Sequence, residues 1–164
     1  MPGYRIVFVC LGNICRSPMA EVVFRSLLED AGLADRVAVS SAGTGEWHVG
    51  EGVDRRAMRA LHARGYDASA HRARQFAHDW FDQHDLVLAL DSANLATLRR
   101  LAPSPLATEK VRLLRSYDAE AVRRGDLDVP DPHYGGPDGF GRVLDLLERA
   151  CRGLLVEVRR EVAP

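Results

Sequence analysis

Along this chain the hydrophobic positions switch repeatedly between strand-like and helix-like spacing, and each switch marks an element. Arg5-Ile6-Val7-Phe8-Val9 is a run of mostly β-branched and aromatic residues that reads as a buried strand. Beyond it, Met19, Val22, Val23 and Leu27 recur at helical spacing. A helix is therefore predicted from Pro18 to about Ala31, stopped by Gly32, with Ser17 as N-cap and Pro18 at the first helical position. Val37 to Ser41 reads as a second strand, and Asp54 caps a second helix that ends at Gly65. Asp85 to Leu90 is almost wholly apolar, as in a parallel strand buried on both faces. A helix from Ser92 to Leu101 and a fourth strand from Val111 to Leu114 follow. Ser116 to Asp138 is irregular and polar, and the final helix, Phe140 to Val162, carries one long apolar face. Strands alternating with helices predict an α/β fold: three layers around a short parallel sheet of about four strands. With no repeat or linker, residues 1–164 read as one domain.

Composition removes several function classes. The formal net charge is −1, which gives no electrostatic case for nucleic acid or an anionic membrane. The arginine pairs 55-56, 99-100, 123-124 and 159-160 have acidic neighbours and read as solvated helix surface. No apolar run is long enough to span a bilayer, and no leader-like segment precedes the first strand, so a cytoplasmic protein is expected. Three cysteines, Cys10, Cys15 and Cys151, make a poor disulfide framework, and no spacing resembles a metal site. The expected state is a monomer without cofactor.

The candidate chemistry lies where the first strand meets the first helix, in Cys10-Leu11-Gly12-Asn13-Ile14-Cys15-Arg16-Ser17-Pro18. A loop in this position aims backbone N–H groups and a helix dipole at one spot, which suits an anion. A cysteine under such donors and beside a guanidinium favours its thiolate. The arginine fork matches phosphoryl oxygens two at a time. Cys10 and Arg16 thus describe a nucleophile within a phosphate cradle.

The run from Val9 to Glu21 resembles the signature of the low-molecular-weight protein tyrosine phosphatases, and Asp131-Pro132-His133-Tyr134-Gly135 fits the same family. The resemblance covers essentially the whole chain. It implies a phosphocysteine mechanism with Cys10 as nucleophile, Arg16 and the amides of Leu11, Gly12, Asn13, Ile14, Cys15 and Ser17 binding phosphate, and Asp131 as general acid. Read without the resemblance, Asp131 is an ordinary Asp-Pro turn. Trp47, in a glycine-rich loop, is either a lid folded on the core or, as the family implies, a cleft wall stacking on the substrate ring. His133 and Tyr134 would form the other wall. His71 would support the loop from behind, bonding around Asn13 and Ser17, while His62, His78 and His84 read as surface residues. Asp91 either caps the helix that follows, the simpler reading, or with Asn94 helps to order the neighbouring loops. Cys15 either packs in the core or traps oxidised Cys10 as a disulfide.

The implied partners are phosphotyrosine proteins, with inorganic phosphate or a similar oxyanion in the loop. Apolar Ile14 favours tyrosine, because the phosphoarginine branch of the family carries threonine there. The expected pH profile is bell-shaped on the acidic side of neutral. Two alternatives stand. A thiol-dependent arsenate reductase would need two further cysteines in mid-chain, which are missing. A phosphotyrosine-binding module with a dead site would not need Cys10, Arg16 and Asp131 together.

Overall fold

Four parallel strands in the order β2-β1-β3-β4 build the sheet: β1 (Tyr4–Cys10), β2 (Val37–Gly43), β3 (Leu86–Ala89) and β4 (Val111–Leu113). The computed structural model describes residues 3–136 and 138–163, Tyr134 by its backbone alone. Side chains alternate across β1, and from Ile6 onward both of its faces are buried. Ile6 and Phe8 join the apolar cluster under α1 (Arg16–Asp30) and α6 (Gly139–Glu161). Val7 and Val9 join Phe76, Phe81 and Leu98 on the opposite face, where α3 (Ser92–Leu101) lies. Burial on both sides explains why β1 and β3 read as continuous apolar runs rather than alternating ones. The fold is the expected three-layer α/β arrangement.

The strand order positions the site. Sheet growth reverses direction between β1 and β3, and in open α/β sheets ligands bind beyond the strand ends at that reversal. Cys10 ends β1 paired with Gly43, and Ala89 ends β3 paired with Val9. The loops after β1 and β3 therefore open into one crevice.

Local structure departs from the sequence expectation at several points. Helix α1 begins at Arg16, not Pro18, and Cys15 stands at the N-cap without a side-chain bond. Ser17 does not cap, because its hydroxyl is drawn into the loop before it. The stretch from Ser116 is partly helical: Asp118 caps α5 (Ala119–Arg124), which Gly125 closes in the left-handed region at φ 67°. A further short helix, α4 (Pro105–Glu109), is capped by Ser104 with Pro105 at its start. Asp54 caps α2 (Arg55–Ala63) as expected, accepting from the N–H groups of Arg56 and Ala57. His84 is not a surface residue: half-buried, it stacks on Trp80 and bonds the Trp80 carbonyl and the Ser40 hydroxyl.

Candidate active site

The loop from Leu11 to Cys15 is held by turning its carbonyls outward. The Cys10 and Leu11 carbonyls accept from Thr44 and Gly45, and that of Ile14 accepts from Asp54. The Asn13 carbonyl accepts from His71 Nε2 at 2.7 Å. Among the described residues, the N–H groups of 12–15 have no protein acceptor, so these dipoles are available to an anion inside the loop. Gly43 makes the fit possible, since a Cβ there would stand 2.7 Å from the Leu11 oxygen.

Asn13 takes the turn at φ 57°, the left-handed conformation that asparagine tolerates better than most residues. Fully buried, it satisfies its side chain completely. Nδ2 donates to Ser17 Oγ at 2.8 Å and Ser41 Oγ at 3.0 Å, and Oδ1 accepts from the Arg74 N–H at 3.0 Å. Having accepted from Asn13, the Ser17 hydroxyl has its own proton to give. Its nearest acceptors are Cys10 Sγ at 2.9 Å and the Ala42 carbonyl at 3.4 Å. His71 thus reaches the loop through Asn13 and not through Ser17, and burial lowers its pKa, which favours the neutral ring.

Arg16 is buried yet fixed at three points. Nη1 donates to Asp91 Oδ2 at 2.7 Å and to the Val129 carbonyl at 3.0 Å, and Nη2 lies 3.6 Å from Asp131 Oδ2. Burial works against its charge, but Cys10, Asp91 and Asp131 outweigh that and hold its pKa above the ordinary value. Asp91 combines the two alternatives read from the sequence: Oδ2 holds Arg16, and Oδ1 caps α3 by accepting from the Asn94 N–H.

These groups share a cleft of about 350 Å³ lined by Cys10, Leu11, Gly12, Ile14, Cys15, Arg16, Trp47, His48, Asp131 and His133. Trp47 is 70 % exposed at its mouth, so it is not a lid on the core. Cys15 is buried, and burial together with the nearby Asp54 pushes its thiol up to about 12, so it stays protonated near neutrality. The three cysteines are free thiols. The side chain of Tyr134 lies outside the described residues.

Two features in or beside the cleft were not read from the sequence. His48 packs its ring edge over Gly12 and bonds Glu51; only its place beside Trp47 hinted at this. Arg56 is exposed, as expected of solvated helix surface, but its guanidinium also reaches across to the His133 carbonyl at 3.1 Å. Cys15, Asp54 and His133 bring metal-type donor atoms within 4.8 Å of one another. Arg56 Nη2 already provides positive charge there, 3.1 Å from Asp54 Oδ2 and 3.3 Å from His133 Nδ1.

Residues 5–164 match the family described as low molecular weight phosphotyrosine protein phosphatase. A low molecular weight protein-tyrosine-phosphatase of Streptomyces coelicolor is 58% identical over 97% of this chain and 96% of its own length. Low molecular weight protein-tyrosine phosphatase A of Mycobacterium tuberculosis is 45% identical over 91% of this chain and 88% of its own. Among solved structures, a protein tyrosine phosphatase from Entamoeba histolytica superposes with a TM-score of 0.90 at 33% identity, covering 96% of this chain and 98% of that one. Sequence, fold and loop geometry agree: the chain belongs to the low molecular weight phosphotyrosine protein phosphatase family.

Proposed function

We propose that the protein hydrolyses phosphotyrosine through a phosphocysteine on Cys10, as a single catalytic domain and without a metal. The observation that carries this reading is the convergence of Cys10, Arg16 and Asp131 on one cleft beside unpaired loop amides. The Cys10 thiolate attacks phosphorus in line with the tyrosyl oxygen. As the S–P bond forms and the P–O bond breaks, Asp131 gives its proton to the departing phenolate. Water then attacks the phosphocysteine, the resulting carboxylate takes a proton from it, and inorganic phosphate leaves with the thiolate regenerated.

Arg16 and the amides are fixed before substrate arrives, so they stabilise the equatorial oxygens without reorganising. The Ser17 hydroxyl, aimed by Asn13, is positioned to donate to the thiolate when it is the leaving group. Depth selects the substrate class. Cys10 is buried at the cleft floor below the exposed ring of Trp47, a reach that suits the long phosphotyrosine side chain and not phosphoserine.

Turnover of p-nitrophenyl phosphate and of a phosphotyrosine peptide by the wild type, and of neither by Cys10→Ser, is the expected result. Equal turnover by Cys10→Ser would overturn the reading, and a wild type that binds the peptide without turning it over would identify a binding module. The arsenate reductase alternative has no structural support, because Cys151 lies in the core of α6, where burial raises its pKa.

A further inference from the structure

The backbone that carries Asp131 has an anchor on the far side of the cleft, in a residue that the mechanism above does not use. Arg56 stands in the first turn of α2, and its guanidinium spends every face. Nε donates to Asp54 Oδ1 at 3.3 Å and Nη2 to Asp54 Oδ2 at 3.1 Å. Nη1 donates to the His133 carbonyl at 3.1 Å and Nη2 to His133 Nδ1 at 3.3 Å. The same plane lies over the Phe140 ring, 4.8 Å from its centre. His133 in turn donates its N–H to Asp131 Oδ1 at 3.0 Å. One carboxylate oxygen is thereby tied to the turn. The other, Oδ2, is left 3.6 Å from Arg16 Nη2.

Resting on the proposed role of Asp131 as general acid, we infer that Arg56 is a positioning residue for proton delivery. Held by Asp54 and Phe140, it clamps His133 and so aims Asp131 Oδ2 at the leaving oxygen. Asp54 is the fixed end of this chain, because its Oδ1 also caps α2 through the Arg56 and Ala57 N–H groups. A planar fork meets a carboxylate on one edge and a carbonyl with a ring nitrogen on the other, which an ammonium does not. Among the described residues, Arg56 has no hydrogen bond or ion pair to Cys10, and it is not among the residues that line the cleft. Its effect is therefore confined to the step that needs the proton.

Leaving-group dependence isolates that step. Phenolate, a base of pKa about 10, needs the proton far more than the weaker base p-nitrophenolate. For Arg56→Ala we expect kcat/KM on phenyl phosphate to fall about tenfold or more, a fraction of what a general acid contributes. On p-nitrophenyl phosphate the fall should be several times smaller, with inhibition by inorganic phosphate unchanged as evidence of an intact loop. Arg56→Lys, which keeps the charge and stem but loses the fork, should follow Arg56→Ala, and it carries the comparison if the alanine variant does not fold. In an Asp131→Asn background, Arg56→Ala should cost nothing further. Equal losses on both substrates, or a full additional loss without Asp131, would overturn the inference. An Asp131→Asn enzyme with no leaving-group dependence would instead remove the general-acid role itself, so the two failures can be told apart.

Discussion

The loop after β1, proposed to hold phosphate, and the loop carrying Asp131, proposed as the acid, face one cleft but are held by different physics. The first is locked by neutral hydrogen bonds among side chains fully withdrawn from water: Asn13, Ser17 and Ser41. The second is hung from its surroundings by charged side chains, several of them in contact with solvent. Arg115 Nη1 donates to the Asp128 carbonyl at 2.7 Å, Asp128 Oδ1 accepts from the N–H and hydroxyl of Ser92, and Arg56 holds His133. The difference fits the work proposed for each loop. A cradle that stabilises a transition state must not reorganise, and buried, fully satisfied networks are rigid. A group that gives up and regains a proton needs solvent access, and the Asp131 side chain is 35% exposed.

Substitutions sharpen this contrast, and the largest effect is expected at the shared arginine. Arg16→Lys removes the fork while keeping a charge, and should lower kcat by about 10²–10³, the scale of losing a preorganised donor. An effect under about tenfold, read by steady-state kinetics, would mean that the fork is not what binds the equatorial oxygens. Stability should separate the loops next. Asn13→Ala strands buried partners on Ser17 and Ser41, frees the Arg74 N–H, and puts a Cβ-bearing residue without polar compensation at φ 57°. It should cost about 2–3 kcal/mol in urea unfolding. Asp128→Ala, at an exposed site, should cost about 1 kcal/mol or less. Equal costs would mean that the two loops are not held differently.

A smaller effect concerns pH. Burial lowers the pKa of His71, and likewise of His84, below the ordinary histidine value of 6.5. Both rings thus stay neutral in the folded protein where the unfolded chain takes up protons. Stability is full above pH 6.5 and is lost as pH falls from there toward the lowered folded values. The urea midpoint should therefore drop between pH 7.5 and 5.5, and His71→Gln should reduce the slope. An unchanged slope in that variant would show that His71 is not resisting protonation behind the phosphate loop.

The phosphate loop was legible because its signal is local. A β-branched run, Cys10, Gly12-Asn13 and Arg16-Ser17-Pro18 all fall within a few positions of one another. The same local reading misplaced the start of α1, because Ser17 looks like a cap until Asn13 and Cys10 are seen to claim its hydroxyl. Helices α4 and α5 announced themselves through Ser104-Pro105 and through Asp118 with Gly125, but their brevity let the polar surroundings hide them. Arg56 was illegible for a different reason. An arginine pair opening a helix has no sequence mark that separates solvated surface from an anchor, and its partner His133 is 77 residues away. His48 over Gly12 and His84 against Ser40 likewise owe part of their surroundings to chain folded against them from elsewhere.

If phosphate passes through Cys10, the phosphorylated enzyme can be trapped. Wild-type protein mixed with a phosphotyrosine peptide and quenched in acid within a single turnover should carry phosphorus on the sulfur of Cys10, seen by peptide mass spectrometry as phosphocysteine. Turnover with no phosphorylated Cys10, or with phosphate on any other residue, would contradict it.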